Sequence, residues 1–231
     1  MTIKGVLFDF SGTLLRIESA ESWLRAVLTE AELTLPEPEL QRLAAALETA
    51  GALPGGSSPA SVPDQLADLW THRDVDATGH RAAFTGLSRQ VELPDPRLHD
   101  ALYERHMTAA AWQPYPDAHE VLAELRERGI GVAVISNIGW DLRPVFRAHG
   151  LDAHVDAYVL SYEHGVQKPA PELFAAACDA LAVAPEHVLM VGDDRRADAG
   201  AAQIGCQVHF VDHLPTAERP DGLRPVLNLV K

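Results

Sequence analysis

Three short apolar runs in this chain each end in residues able to hold a metal or an anion. Gly-Val-Leu-Phe ends in Asp9, Val-Ala-Val-Ile ends in Ser136 and Asn137, and Val-Leu-Met-Val ends in Gly192, Asp193 and Asp194. Lys168 follows a fourth apolar stretch, and Asp198 lies one helical turn beyond Asp194. Brought together, Asp9, Asp193, Asp194 and Asp198 would face a single lysine. Carboxylates crowded in this way repel and cannot all ionise cheaply. A divalent cation relieves the repulsion, and an oxygen-only donor set suits Mg2+. With the cation and Lys168 in place, the site attracts a phosphate that Ser136 and Asn137 could hydrogen-bond. A set of solvated acids at strand ends and helix caps is the simpler reading. It accounts for Asp194 or Asp198 alone better than for all four together.

The elements that would position these residues follow from the pattern. Residues 3–10, 129–136 and 187–194 are apolar without alternation, as suits strands buried on both faces. Shorter strands are predicted near 157–161 and 206–212. Helices are predicted from the prolines at 114 and 116 to about Arg128, over 141–149, up to Leu181 and over 197–205. Strand–helix alternation reads as an α/β fold with a parallel sheet and helices on both faces. In such sheets ligands bind at the carboxyl ends of the strands, where all the residues above fall. Residues 18–111 differ: helical patterns recur there, interrupted by a Gly/Ser/Pro loop at 51–63, and no strand is evident. The chain is therefore divided into a core of residues 1–17 and 112–231 and a helical insert of 18–111, hinged at the two crossings. The tail from 213 to 231 is assigned nothing beyond packing.

Composition narrows the function. The 231 residues are 47% hydrophobic and 23% charged, enough for a folded core. With 19 basic and 33 acidic residues the net charge is −14, which argues against general binding of nucleic acid or an anionic membrane. Cys178 and Cys206 form neither a disulfide framework nor a zinc-ligand spacing. The N-terminal apolar run is too short for a signal peptide, and no stretch reaches the roughly 18 apolar residues of a membrane helix. The expectation is a cytoplasmic protein, a monomer or homodimer, acting on a small molecule.

The segments Asp9-Phe10-Ser11-Gly12-Thr13-Leu14, Ser136-Asn137, Lys168-Pro169 and Gly192-Asp193-Asp194 with Asp198 resemble the four ordered motifs of the haloacid dehalogenase-like hydrolase superfamily. The resemblance spans about 3–17 and 112–212, and the insert is similar to the helical cap of subfamily I. It implies a Rossmann-like core with an inserted all-helical cap. It implies Asp9 as a nucleophile that forms an aspartyl-phosphate. Mg2+ would be held by Asp9, the main-chain carbonyl of Ser11 and Asp193. Ser136 and Asn137 would bind the phosphoryl group and Lys168 would neutralise its charge. Asp194 and Asp198 would stand behind the metal, orienting water or Lys168, and Thr13 would support the turn. The implied activity is a Mg2+-dependent phosphatase or phosphotransferase acting on a small organic phosphate.

One position departs from the family. Phosphate-ester hydrolases of this kind carry a second Asp two residues after the nucleophile, where this chain has Ser11. A hydroxyl is a poor general base, so slow turnover is expected. Two alternatives follow: a metal-independent dehalogenase-like hydrolase, or a catalytically weak phosphate- or metabolite-binding protein. Schiff-base chemistry from a cap lysine is excluded, because no Lys occurs between residues 5 and 167. Trp140, Asp141, Glu163 and His164 lie close enough in sequence to the motifs to contribute. Arg16, Arg25, Arg42, Trp23 and Trp70 are candidate substrate contacts around the cap. For each of these, packing or solvation is the simpler role, as it is for the remaining histidines.

Overall fold

The computed structural model describes residues 2–230. Five parallel strands form the central sheet: β1 (Gly5–Phe8), β4 (Gly131–Ser136), β5 (Ala157–Leu160), β6 (Val188–Gly192) and β7 (Gln207–Phe210), in the order β5-β4-β1-β6-β7. Two further strands, β2 (Leu15–Ile17) and β3 (Trp112–Pro114), pair antiparallel outside it. The central strands bury both faces, as their unbroken apolar runs require. Val6, Phe8, Val132, Val134 and Val191 face one core, beneath α6 (Ala118–Glu127) and α7 (Arg143–Ala148). Leu7, Ala133, Ile135 and Met190 face a second core beneath α9 (Pro171–Leu181).

Register then levels the strand ends. Phe8 pairs with Val134 on one side and Val191 on the other. Asp9, Ser136 and Asp193 therefore emerge from one rim of the sheet, and the Asp9 N–H still donates to the Val191 carbonyl at 2.9 Å.

Residues between the two short strands are helical: α1 (Ala20–Glu30), α2 (Glu37–Thr49), α3 (Ala67–Thr71), α4 (Ala77–Ser88) and α5 (Leu98–His106). Ser19 caps α1 by accepting from the Ser22 N–H, and Asp76 caps α4 by accepting from the Gly79 N–H. α1 turns Trp23, Leu24, Val27 and Leu28 inward, and the Trp23 indole donates to the Leu102 carbonyl at 2.8 Å. Arg25 and Arg42 lie on the solvent side, paired with Glu21 and Glu37, and with Glu39.

Three features differ from the sequence reading. The crossings at 17 and 112 are not bare hinges: β2 and β3 pair there, through Leu15↔Pro114, Arg16↔Gln113 and Ile17↔Trp112. Strands this short leave no readable alternation. Residues Asp198–Ile204 wind as a 3₁₀ helix instead of an α-helix. Gly200, poor in α preference, sits so close to the Pro169 carbonyl that a Cβ would lie 2.4 Å from it. The tail also has a structural role. Arg219 is buried with its guanidinium 3.2 Å from the Tyr115 ring centroid. It donates to the carbonyls of Gly12 (2.6 Å), Asp212 (2.8 Å) and Thr13, pinning the turn after Asp9 from below.

The helical insert also carries a pH liability. His80 and His106 are buried, with His80 Nδ1 2.7 Å from the Tyr103 hydroxyl and His106 Nδ1 donating to the Tyr103 carbonyl. Burial holds both below the ordinary imidazole range, His106 down to about 3. The unfolded chain takes up these protons as pH falls below about 6.5, while folded His106 stays neutral until about 3. The stability it supports is therefore complete above that window and is lost as pH falls through it. Between pH 7 and 5, His106 alone should remove about 2 kcal/mol. Urea unfolding at both pH values checks this: His106→Leu should be less stable at pH 7 yet lose about 2 kcal/mol less on acidification. Equal losses in the two proteins would overturn it.

Candidate active site

The centre of the site is an ion-pair chain. Lys168 Nζ lies 2.7 Å from Asp9 Oδ1 and 2.6 Å from Asp198 Oδ1, with all three side chains almost wholly buried. Burial alone would lower the Lys168 pKa, but the charges of Asp198 and Asp9 outweigh it and hold the ammonium above its ordinary range. Burial pushes Asp9 well up; Lys168 opposes this, while Asp198 and Asp193 reinforce it. Asp198 is likewise raised by burial against the pull of Lys168.

Lys168 is held there by its own backbone. Its N–H donates to Asn137 Oδ1 at 2.6 Å and its carbonyl accepts from Asn137 Nδ2 at 3.0 Å. Both ends of the Asn137 amide are thus engaged on the Lys168 main chain. Ser136, one residue earlier at the end of β4, is buried at the cavity wall.

Asp193 is the third carboxylate. One carboxylate oxygen each from Asp9, Asp193 and Asp198 lie within 4.8 Å of one another. Asp193 Oδ1 accepts from the Thr13 hydroxyl at 3.0 Å, and Oδ2 lies 2.5 Å from His213 Nδ1. Burial raises Asp193, but the His213 contact, the Thr13 hydroxyl and the Lys168 charge prevail and hold it below the ordinary carboxylate range. Gly12 makes this approach possible. It has φ +81°, and a Cβ there would lie 2.2 Å from His213 Nδ1 and 2.5 Å from Asp193 Oδ2.

Asp194 and Asp198 divide the work expected of both. Asp198 reaches Lys168 directly and accepts from the Asp194 N–H through Oδ2 at 3.0 Å. The Asp194 carboxylate instead accepts from the N–H groups of Arg196 and Ala197, at 2.8 and 3.0 Å, and caps the turn.

These residues border a cavity of about 450 Å³ between the sheet rim and the helical insert. Ser11 lies on its wall, its hydroxyl 3.4 Å from the Gly55 carbonyl in the 51–63 loop. Gly55, at φ +80°, would carry a Cβ 2.7 Å from both Ser11 Oγ and the Trp112 ring. The insert is docked on the core by Gln167 Nε2, which donates to the Thr71 carbonyl at 2.9 Å, and by the Ser161 hydroxyl, which donates to the Asp74 carbonyl at 2.5 Å.

Of the peripheral candidates, Arg16, Trp70 and Trp140 border the cavity. Trp23 is core. Asp141 and Glu163 both bind Arg143, and His164 is exposed outside the cavity. Sequence reasoning overlooked His213, Arg73, Asp74 and His80, all on the cavity wall. His213 was accessible to the same rule that found the others, since it follows the carboxyl end of β7. The other three come from the insert, where nothing in the sequence separates a cavity-facing residue from a packed one.

Known proteins resemble this chain in sequence and in fold. The family described as haloacid dehalogenase-like hydrolase matches residues 3–204. A phosphoserine phosphatase from Thermus thermophilus is 40% identical over 113 residues, covering 48% of this chain and 42% of the relative. Matches of this kind span about half the length of the curated relatives. A glyceraldehyde 3-phosphate phosphatase from Methanopyrus kandleri is 30% identical over 83% of this chain and 76% of its own. Among solved structures, a dehalogenase superposes with a TM-score of 0.69 at 23% identity, covering 99% of this chain and 98% of the other; it supports the fold alone.

Proposed function

We propose that this chain, which belongs to the haloacid dehalogenase-like hydrolase family, is a phosphoric monoester hydrolase acting through Asp9. The observation that carries the reading is Lys168 bridging Asp9 and Asp198 at the wall of the cavity. A carboxylate held 2.7 Å from a buried ammonium is placed and oriented, and the same ammonium is available to the equatorial oxygens of a phosphoryl group. Residues 18–111 act as the cap that shields the reaction from water, with residues 1–17 and 112–231 as the catalytic core.

The donor set fits a hard divalent cation. Asp9 and Asp193 present carboxylate oxygens within 4.8 Å of each other, and burial with mutual repulsion raises Asp9. Mg2+ held by Asp9, the Ser11 main-chain carbonyl and Asp193 would supply compensating positive charge beside the transferring phosphoryl group. Asp198 is committed to Lys168 and the Asp194 N–H, so its part is to keep the lysine in place.

In the first half-reaction an Asp9 carboxylate oxygen forms a bond to phosphorus as the ester P–O bond breaks, and the leaving oxygen takes a proton from solvent. In the second, water attacks the phosphorus of the aspartyl-phosphate and loses a proton to solvent as the Asp9 O–P bond breaks, releasing phosphate and the Asp9 carboxylate. Lys168 stabilises charge in both, and Ser136 hydrogen-bonds the phosphoryl oxygens. Ser11 cannot serve as an efficient acid in the first step or base in the second; with a leaving group that needs no proton, such as p-nitrophenolate, the second is the slower.

Stopped-flow hydrolysis of p-nitrophenyl phosphate tests this reading. A Mg2+-dependent burst of p-nitrophenol followed by a slower steady state is expected, and excess EDTA should remove both phases. Halide release from 2-chloropropionate, unaffected by EDTA and without phosphatase activity, would replace the reading with a dehalogenase-like one.

A further inference from the structure

Ten of the sixteen arginines pair with a carboxylate. Arg16 is different. It stands on β2, where the chain passes from the core into the helical insert, and it borders the same cavity as Asp9 and Lys168. Its Nη1 is buried without a hydrogen-bond partner, and no carboxylate among the described residues pairs with it. A second guanidinium on the cavity wall has a related defect. Arg73 Nε is also buried without a partner, although Nη1 donates to the Trp70 carbonyl at 2.8 Å and the group stacks 3.9 Å over the Trp70 ring. Asp74, 3.4 Å from Arg73 Nη2, offsets that charge. Nothing comparable offsets Arg16.

A buried N–H without an acceptor costs free energy that native structures seldom leave uncompensated. A guanidinium is the donor best shaped for a carboxylate or phosphate. We propose that Arg16, assisted by Arg73, forms a second anion subsite in the cavity, and that the substrate is a small phosphate monoester carrying a second anionic group. This rests on the phosphatase reading for the first group, which Lys168 and Ser136 receive. Arg16 takes no part in the chemical steps; it selects the substrate by its far end. A cavity of about 450 Å³ suits a ligand of a few carbons with both groups held at once.

Inert phosphonates separate the subsite from the chemistry. Quenching of the cavity tryptophans Trp70, Trp112 and Trp140 can be titrated with phosphonoacetate, ethylene-1,2-diphosphonate and ethylphosphonate in the presence of Mg2+. Wild-type protein should favour at least one doubly anionic probe over ethylphosphonate by ~10- to 100-fold, the worth of a charge-assisted hydrogen bond. Arg16→Gln should collapse that ratio to within about threefold, and Arg16→Lys should restore part of it. Preference for phosphonoacetate identifies the distal group as a carboxylate, and preference for the diphosphonate identifies it as a second phosphate. No preference in the wild type, or one that survives Arg16→Gln, overturns the proposal. Hydrolysis of p-nitrophenyl phosphate is read on the same preparation. Its absence alongside an Arg16-dependent preference would sink the phosphatase reading and leave the subsite standing.

Discussion

Asp9→Asn should abolish p-nitrophenyl phosphate hydrolysis, with kcat falling by at least ~10⁴-fold, as expected when a nucleophile acting in concert with its neighbours is removed. The substitution keeps the side chain's size and replaces one carboxylate oxygen with an amide nitrogen that cannot attack phosphorus. Its structural cost is small. Lys168 keeps Asp198 at 2.6 Å, and one of three mutually repelling acids is neutralised. Thermal melting should therefore show a Tm no lower than that of the wild type, so that lost activity cannot be assigned to unfolding. The burst phase must vanish with the steady state, because both begin with the bond from Asp9 to phosphorus. A variant that melts normally and still turns over at more than a hundredth of the wild-type rate would remove Asp9 as nucleophile.

Ser11→Asp should act in the opposite direction, raising steady-state hydrolysis by roughly 10²–10⁴-fold, the range for a positioned acid or base. The surroundings favour a carboxylic acid here. The Ser11 hydroxyl lies 3.4 Å from the Gly55 carbonyl, an acceptor that stabilises a protonated carboxyl over a carboxylate. Such a group can protonate the leaving oxygen and, once ionised, accept the proton of the attacking water. The burst amplitude should shrink as the second half-reaction accelerates. A rate that does not rise, in a variant with an unchanged Tm, would mean that the loop around Gly55 has adapted the site to a serine. The position is tight: a Cβ on Gly55 would lie 2.7 Å from both Ser11 Oγ and the Trp112 ring.

The strands and their carboxyl-end residues were legible because burial on both faces demands unbroken apolar runs. A polar residue that ends such a run therefore marks the sheet's rim. Asp9, Ser136 and Asp193 were found by that rule, and sheet register levels them. Asp198 and Asp194 carried the same charge at neighbouring positions, so sequence could not divide their tasks. The turn between them carries Asp198 to Lys168 and leaves the Asp194 carboxylate to cap that same turn. Asn137 falls at the expected strand end, but that its side-chain amide grips the Lys168 backbone was not legible. That pairing depends on how the loop after β5 returns, across 31 residues of sequence.

By itself, the sequence determined the parallel α/β core, the helical insert after the first strand, the acidic cluster facing one lysine, and Ser11 at the position where an acid would be expected. Each is written in local composition: apolar runs, helical spacing, and residue types at run ends. Only the tertiary structure decided the rest. It brings His213 against Asp193, seats Arg219 beneath the Gly12–Thr13 turn, folds the Gly55 loop over Ser11, and leaves Arg16 without a partner beside the cavity. These contacts join residues from 20 to 207 positions apart. Whether a polar atom there meets a partner or remains open for a ligand is set by packing between distant elements, which no local pattern encodes.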